Sequence, residues 1–211
     1  MKISKNGGID VNINATLEAL ARNNMHAVFV ESVEEAKKCI KEMLPEGSTV
    51  SHGGSITLAQ SGLSDFLREN FRFIERGEVN SQTPDCYFSS SNAITETGVL
   101  YNVDGHSNRV SALIYGAPKV IIVAGINKIV KDLNEAIYRV KTVAAPKNCV
   151  RLHKNTYCAE NGKCVSLLKE DPEMCDGCSS PDRICCNYTV MAQQRIKDRV
   201  NVIIINQELG Y

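Results

Sequence analysis

Nine cysteines are many for a chain of 211 residues, and six of them crowd between Cys158 and Cys186. Cys175 and Cys178 stand two residues apart, the spacing that turns both thiolates toward one metal, and Cys185 returns within a single loop containing Pro181. Cys158 or Cys164 would complete four. Four thiolates suit tetrahedral zinc or a four-iron cluster, and ligand spacing alone does not separate the two. The competing readings are a disulfide-linked loop, disfavoured in a reducing cytosol, and unpaired buried thiols, disfavoured at this density. Cys39 and Cys86 fall on elements where a core thiol is the simpler reading, and Cys149 and Cys186 stay unassigned. With few apolar residues to hold the segment, metal ligation would be part of its folding.

The run Ser51-His52-Gly53-Gly54-Ser55-Ile56-Thr57 follows an expected strand and leads into an expected helix. Backbone N–H groups and the helix dipole favour an anion there, the glycines let it approach, and Ser55 and Thr57 add hydroxyl donors. His52 could donate to the same anion. The rival reading is a plain turn with Ser55 as the helix cap. Glu96, between two threonines and ahead of Gly98, could serve as nucleophile or general base if partly buried, or could simply bind nearby N–H groups and order its turn. His106, Asn108 and Arg109 follow Asp104-Gly105 and read most simply as a solvated hairpin end, with Arg109 as a carboxylate clamp the sharper alternative.

These residues need a scaffold, and the apolar pattern supplies one. Asp10 to about Asn24 reads as a helix capped by Asp10, and His26 to Glu31 as a buried strand. Ser32 with Glu35 makes a capping box for a helix that Pro45 and Gly47 stop. Thr49 to Ser51 is a short strand, a helical stretch runs from the Gly-Gly turn to about Glu69, and Phe71 to Ile74 is a strand. Cys86 to Ser89 and Gly98 to Val103 are further strands, with Asp104-Gly105 turning the chain into a hairpin partner at His106 to Val110. Lys119 to Ala124 is apolar at consecutive positions, as in a strand covered on both faces, and a helix from Ile129 ends at Pro146. Cysteines and turn residues dominate from Cys149 to Cys186, before a last buried strand at Arg199 to Asn206. The expectation is an α/β fold with a mixed, mostly parallel sheet and flanking helices over 1–211, plus a cysteine-rich metal-binding segment at 149–190 inserted before the last strand.

Lys+Arg and Asp+Glu number 24 each, so net charge predicts neither nucleic acid nor an anionic membrane as partner. The basic residues are dispersed, without interleaved aromatics. No apolar stretch is long enough to span a bilayer, and MKISKNGGID has no apolar run after its lysines, so a cytoplasmic location is expected.

Val50 to Leu67, with its Gly-Gly-Ser-x-Thr-Leu turn and following Gly62-Leu63, and Asn92 to Ile129, with its Glu96-Thr97-Gly98 step, resemble the LUD family of lactate-utilisation proteins. The resemblance covers most of residues 10–145. It implies a fold akin to ribose-phosphate isomerases, CoA transferases and formyltetrahydrofolate cyclo-ligases, and a role in lactate or related organic-acid metabolism beside iron–sulfur partner proteins. It implies no settled reaction, and fold alone carries none. A small anionic or acyl ligand would be bound by Ser51, His52, Gly53, Gly54, Ser55, Thr57, Thr97, Gly98 and Arg109. By analogy with the glutamate that attacks the thioester in CoA transferases, Glu96 is the catalytic candidate. The tail from Cys175 to Cys185 and the terminal Leu209-Gly210-Tyr211 resemble a clostridial-type subgroup. That likeness implies Cys158, Cys175, Cys178 and Cys185 as metal ligands, Cys164 being the alternative where the chain is lengthened. The family's electron-transferring partners favour a 4Fe-4S cluster over structural zinc. The alternatives are a CoA-transferase-like or cyclo-ligase-like enzyme with structural zinc, and a noncatalytic redox-sensing accessory module. A homo-oligomer is left open.

Overall fold

The computed structural model describes residues 2–4 and 10–211, with side chains from Val11 onward. The expectation drawn from the first ten residues rests largely on Met1 and residues 5–9, outside the described residues. β1 (Lys2–Ser4) and β2 (Asp10–Asn12) form an antiparallel pair. α1 (Ile13–Arg22) follows, and its cap is Asn12, whose Oδ1 accepts from the Ala15 N–H at 3.1 Å. Asp10, the expected cap, lies in β2 instead.

The main sheet holds β3 (His26–Val30), β4 (Thr49–His52), β5 (Arg72–Phe73), β6 (Cys86–Ser89), β9 (Lys119–Gly125) and β12 (Val200–Ile205) in the order β3-β12-β9-β6-β4-β5. Every pairing in it is parallel. Its central strands are continuous apolar runs because both faces are covered. Ile122, Ala124, Val202 and Ile204 turn to one side, with Leu20 of α1, while Ile121, Val123, Ile203 and Ile205 turn to the other, against α2 (Val33–Met43) and α4 (Leu63–Asn70). Ser32 caps α2 as its capping box requires, at 3.2 Å from the Glu35 N–H. The helical stretch after the Gly-Gly turn is two helices, α3 (Ile56–Gln60) and α4, because Gly62 adopts φ +67 between them.

A second sheet, in the order β10-β7-β8-β11, is built from β7 (Ala93–Thr95), β8 (Leu100–Asp104), β10 (Ile129–Val130) and β11 (Asn187–Met191). Here the expected hairpin is corrected. Residues 106–110 form no strand: Ser107 takes φ +60, and Asp104 Oδ2 accepts from the Val110 N–H at 2.9 Å, folding the chain into α5 (Asn108–Ser111). β8 pairs antiparallel with β7 on one edge and, on the other, with β11, more than 80 residues away in the chain. The helix expected from Ile129 starts at Asp132, which caps α6 (Leu133–Arg139) through the Glu135 N–H. It also passes Pro146 rather than ending there. A π turn at Val140–Ala144 widens the backbone just before α7 (Ala145–Arg151), which relieves the ring clash and missing donor of proline. The cysteine segment then runs through α8 (Tyr157–Asn161) to β11.

Candidate functional site

Strands that end in polar turns on one side of a parallel sheet create a crevice at their carboxyl ends. Here β4 delivers Gly54, Ser55 and Thr57, β6 delivers Ser89, Ser90, Ser91 and Asn92, and the chain beyond β9 delivers Lys128, all around one cavity of about 380 Å³. The far wall is Val140, Ala144 and Ala145 from the π-turn helix, with Asn148 and Arg151, and then Ile184 and Cys185. Its charged lining is one-sided. Arg76, Arg109, Lys128, Arg151 and Lys154 meet one acidic side chain in the lining, Asp104, while Lys154 is also paired with Asp182 at 3.4 Å; His106 lines the cavity too. Such a cavity concentrates anions and repels cations.

Arg109 is the hub of its floor. Nε and Nη2 donate to Asp104 Oδ1 at 3.0 and 2.6 Å, Nη1 to Asn102 Oδ1 at 2.6 Å, and Nη2 to Asn92 Oδ1 at 3.0 Å, while the carbonyls of Ser90 and Val103 accept at 3.1 and 3.2 Å. A guanidinium has five N–H groups, so these acceptors use its capacity in full. Arg109 therefore fastens the turns after β6 and β8 together and offers an incoming ligand charge rather than free donors. Arg139 holds the same turn from the other side, donating from Nη1 to the Asn92 carbonyl at 2.7 Å. Two polar groups in this floor are buried without a partner, Ser90 Oγ and Asn102 Nδ2. Buried polar atoms are seldom left so, and Ser90 belongs to the cavity wall itself.

Lys128 is almost fully buried and its ammonium donates to the Tyr211 carbonyl. Burial first, then the nearby Arg139 and Arg109, push its pKa well below the ordinary lysine value. It therefore gives up its proton more readily than a surface lysine. Tyr211 bridges onward, its hydroxyl accepting from Arg151 Nε at 2.7 Å.

Of the residues expected to bind a ligand, Gly54, Ser55, Thr57 and Arg109 line the cavity. Ser55 Oγ caps α3, accepting from the Leu58 N–H at 3.3 Å, and Thr57 Oγ1 is spent on the Leu209 carbonyl. Gly53 lies behind the wall, where a Cβ would come within 2.8 Å of Tyr87 Oη and 3.3 Å of Arg109 Cγ. Ser51 is buried in β4, and His52 turns away to stack edge-on against Phe73. His52 Nδ1 donates to the Gly53 carbonyl at 2.8 Å, its Nε2 is buried without a partner, and burial lowers its pKa.

Glu96, Thr97 and Gly98 are not brought to the cavity. β7 runs antiparallel to β8, pairing Ala93 with Tyr101, so its start lies by the cavity and its carboxyl end points away. Glu96 Oε1 accepts from the Asn12 N–H at 2.8 Å at the head of α1. Gly98, at φ +78, packs so tightly that a Cβ would lie 2.5 Å from the Ala19 carbonyl carbon. Glu96 and Gly98 thus dock α1. The residues that sequence reasoning missed are Lys128, Ser90, Asn92, Asp104, Arg76 and Arg151. Ser89-Ser90-Ser91-Asn92, a polar run directly after an apolar strand, was the available signal for two of them.

The other cysteines of this segment gather beside this cavity, and Val140, Ala145 and Cys185 line both spaces. Cys158, Cys164, Cys178 and Cys185 line a second, small chamber with Tyr101, Val140, Lys141, Ala145 and Tyr188, among others. Cys175 is exposed and is not in its lining, and Cys149 Sγ lies 3.7 Å from Cys158 Sγ. Among the described residues, no three His, Cys, Asp or Glu side chains stand close enough to hold a single metal ion. Cys39 is half-buried on α2 and Cys86 is buried in β6.

The family model described as LUD domain matches residues 13–205. Among solved structures, a DUF162 family protein from Deinococcus radiodurans is similar at 10% identity and a TM-score of 0.52, over 92% of this chain and 96% of that one. That likeness shows a shared fold. Ribose 5-phosphate isomerase A from Methanocaldococcus jannaschii matches more loosely, at 16% identity and a TM-score of 0.35, over 57% of this chain and 64% of that one. A comparison with curated proteins finds no match. Among the described residues, no helix is long and apolar enough to cross a membrane.

Proposed function

The chain belongs to the LUD domain family, and on that premise we propose that it binds a small organic anion of lactate or related organic-acid metabolism in the cavity at the carboxyl ends of β4 and β6. One observation carries this reading: five cationic side chains line the cavity against one acidic side chain, and a buried Ser90 hydroxyl there has no partner. Although Arg109 is paired with Asp104 and Lys154 with Asp182, Arg76, Lys128 and Arg151 have no acidic side chain among the lining to offset them. Lys128 and Arg151 supply charge, Ser90 a neutral hydrogen bond, and the open face of Gly54 lets the ligand approach the backbone. The cysteine segment carries an iron–sulfur cluster in this reading, with structural zinc as the competing occupant. The density of thiols supports a metal, and iron–sulfur proteins would be its redox partners.

The test is calorimetric titration with D- and L-lactate, a dicarboxylate, phosphate and an acyl-CoA. Binding of one of the carboxylates, lost in Lys128→Met while the circular dichroism is kept, is the expected result. Failure of every anion to bind would overturn the reading, and preference for acyl-CoA over free carboxylates would move it to acyl chemistry.

A further inference from the structure

Lys141 and Arg183 are two cations whose bonds go to neutral groups. Lys141 projects from the π turn Val140–Ala144, is 5% exposed, and donates to Ser166 Oγ and to the carbonyls of Glu173 and Asp176 at 2.7, 2.7 and 3.0 Å. The Asp176 carboxylate is turned to Lys169. Arg183 donates to the carbonyls of Cys175, Cys178 and Cys185 at 2.8, 3.2 and 2.8 Å and to the Tyr188 hydroxyl at 3.0 Å. Its guanidinium lies so close to Gly177 that a Cβ there would stand 2.8 Å from Cζ. The cysteine loop is thus wound around one arginine and docked on one lysine. Lys141 is buried and Arg183 half-buried with only neutral groups bonded to them, and the nearby Asp176 carboxylate is shared with Lys169, so added negative charge beside them would be favourable.

A chamber lined by Lys141, with Asp176 also in its wall, supplies the place for it. Cys158 and Cys164 are each 8% exposed, Cys178 and Cys185 half-buried, and all four face one space. About 20 Å³ of that space is open to the centre of a water molecule, a void of roughly 3 Å radius once the water's own ~1.4 Å is added. A single zinc draws its thiolates to about 2.3 Å from one point, and no such convergence exists among the described residues. Four thiols spaced around a void suit a body that brings its own metal and sulfide to fill it.

We infer that Cys158, Cys164, Cys178 and Cys185 are the ligands of a four-iron cluster seated in this chamber, that Cys175 is not a ligand, and that Lys141 and Arg183 offset the cluster's charge. The inference rests on the reading of the cysteine segment as a metal site and names its donors. On binding, the four thiols lose their protons to solvent. The net charge of the thiolate-ligated cluster is then negative, with Lys141 in the chamber wall and Arg183 on the backbone of the ligand loop.

The test is anaerobic reconstitution of the full chain with ferric iron, sulfide and excess dithiothreitol, the thiol supplying the reducing electrons, with zinc alone in a parallel arm. Wild type should take up about four irons and four sulfides per chain, with a brown absorbance that dithionite bleaches. Cys158→Ser, Cys164→Ser, Cys178→Ser and Cys185→Ser should each retain less than half the iron, and Cys175→Ser and Cys186→Ser all of it. Lys141→Met should keep its iron but lower the reduction potential, and Lys141→Arg should restore it. Iron lost in Cys175→Ser and kept in Cys164→Ser would overturn this ligand set while leaving the metal reading intact. One tightly bound zinc and no uptake of iron would overturn the cluster. A folded protein that takes neither metal would overturn the inference together with the metal reading beneath it, while leaving the anion cavity untouched.

Discussion

Arg109→Met removes the guanidinium on which the turns after β6 and β8 converge. The Asp104 side chain, 9% exposed, then keeps its charge with only the Val110 N–H on Oδ2, and Asn102, fully buried, loses the partner of its oxygen as well. Breaking a buried pair by deleting one member costs about 3–5 kcal/mol, because the remaining charge stays desolvated. With a urea m-value of roughly 3 kcal/mol per molar for a chain of this size, the unfolding midpoint should fall by about 1–1.7 M. Asp104→Asn in the same background should recover part of the loss, since it removes the stranded charge, giving a coupling of about 2 kcal/mol in the double-mutant cycle. Urea titrations followed by circular dichroism on the four proteins make the measurement. A midpoint shift under about 0.3 M, or losses that simply add, would refute Arg109 as a buried fastener and return it to the role of a ligand clamp with donors to spare.

Lys128 should make anion binding pH-dependent: the protonated amine is the binding form, so affinity is full at low pH and falls as pH rises through a lysine pKa that burial has lowered well below its ordinary value. Calorimetry across pH should show that fall, and Lys128→Met should flatten it. Gly53→Ala should destabilise by about 1–3 kcal/mol through its contact with Tyr87, whereas at Gly54 the nearest atom to a new Cβ is 3.9 Å away; Gly54→Val should keep the melting temperature and lose anion affinity. Glu96→Gln should leave anion affinity unchanged and cost about 1 kcal/mol through its weakened bond to the Asn12 N–H, and an acyl adduct on Glu96 in mass spectrometry would contradict this assignment.

The parallel sheet was legible because burial on both faces writes itself as consecutive apolar residues, as in Lys119–Gly125 and Val200–Ile205. Gly54 and Ser55 were legible for a local reason, a turn between strand and helix. Lys128, Arg76 and Arg151 were not, since each looks like an ordinary surface cation until three distant elements close around one cavity. Glu96 shows the opposite difficulty. Its position at a strand end was correct, yet the end that matters depends on the direction of β7 against β8, and that pairing is not written in the residues near Glu96. Cys164 was legible only as an alternative ligand, because facing the chamber depends on α8 ending at Gly162, with φ +70, so that the chain doubles back.

The place of β12 in the main sheet has a consequence for how the molecule is made. β12 lies between β3 and β9 and, among the described residues, is the sole strand partner of β3. During synthesis β3 leaves the ribosome with no strand to pair with, and β9 later emerges with one edge open. At ~5–20 residues per second, residues 26–30 wait roughly 10–35 s for residue 205. Pairings of such long sequence separation also fold slowly once the chain is free. Through that interval two apolar strand edges stand open on either side of a gap one strand wide, the form of surface that recruits chaperones and, at high expression, seeds aggregation. Yield of soluble chain should therefore depend on translation rate and chaperone supply more steeply than its finished stability would suggest.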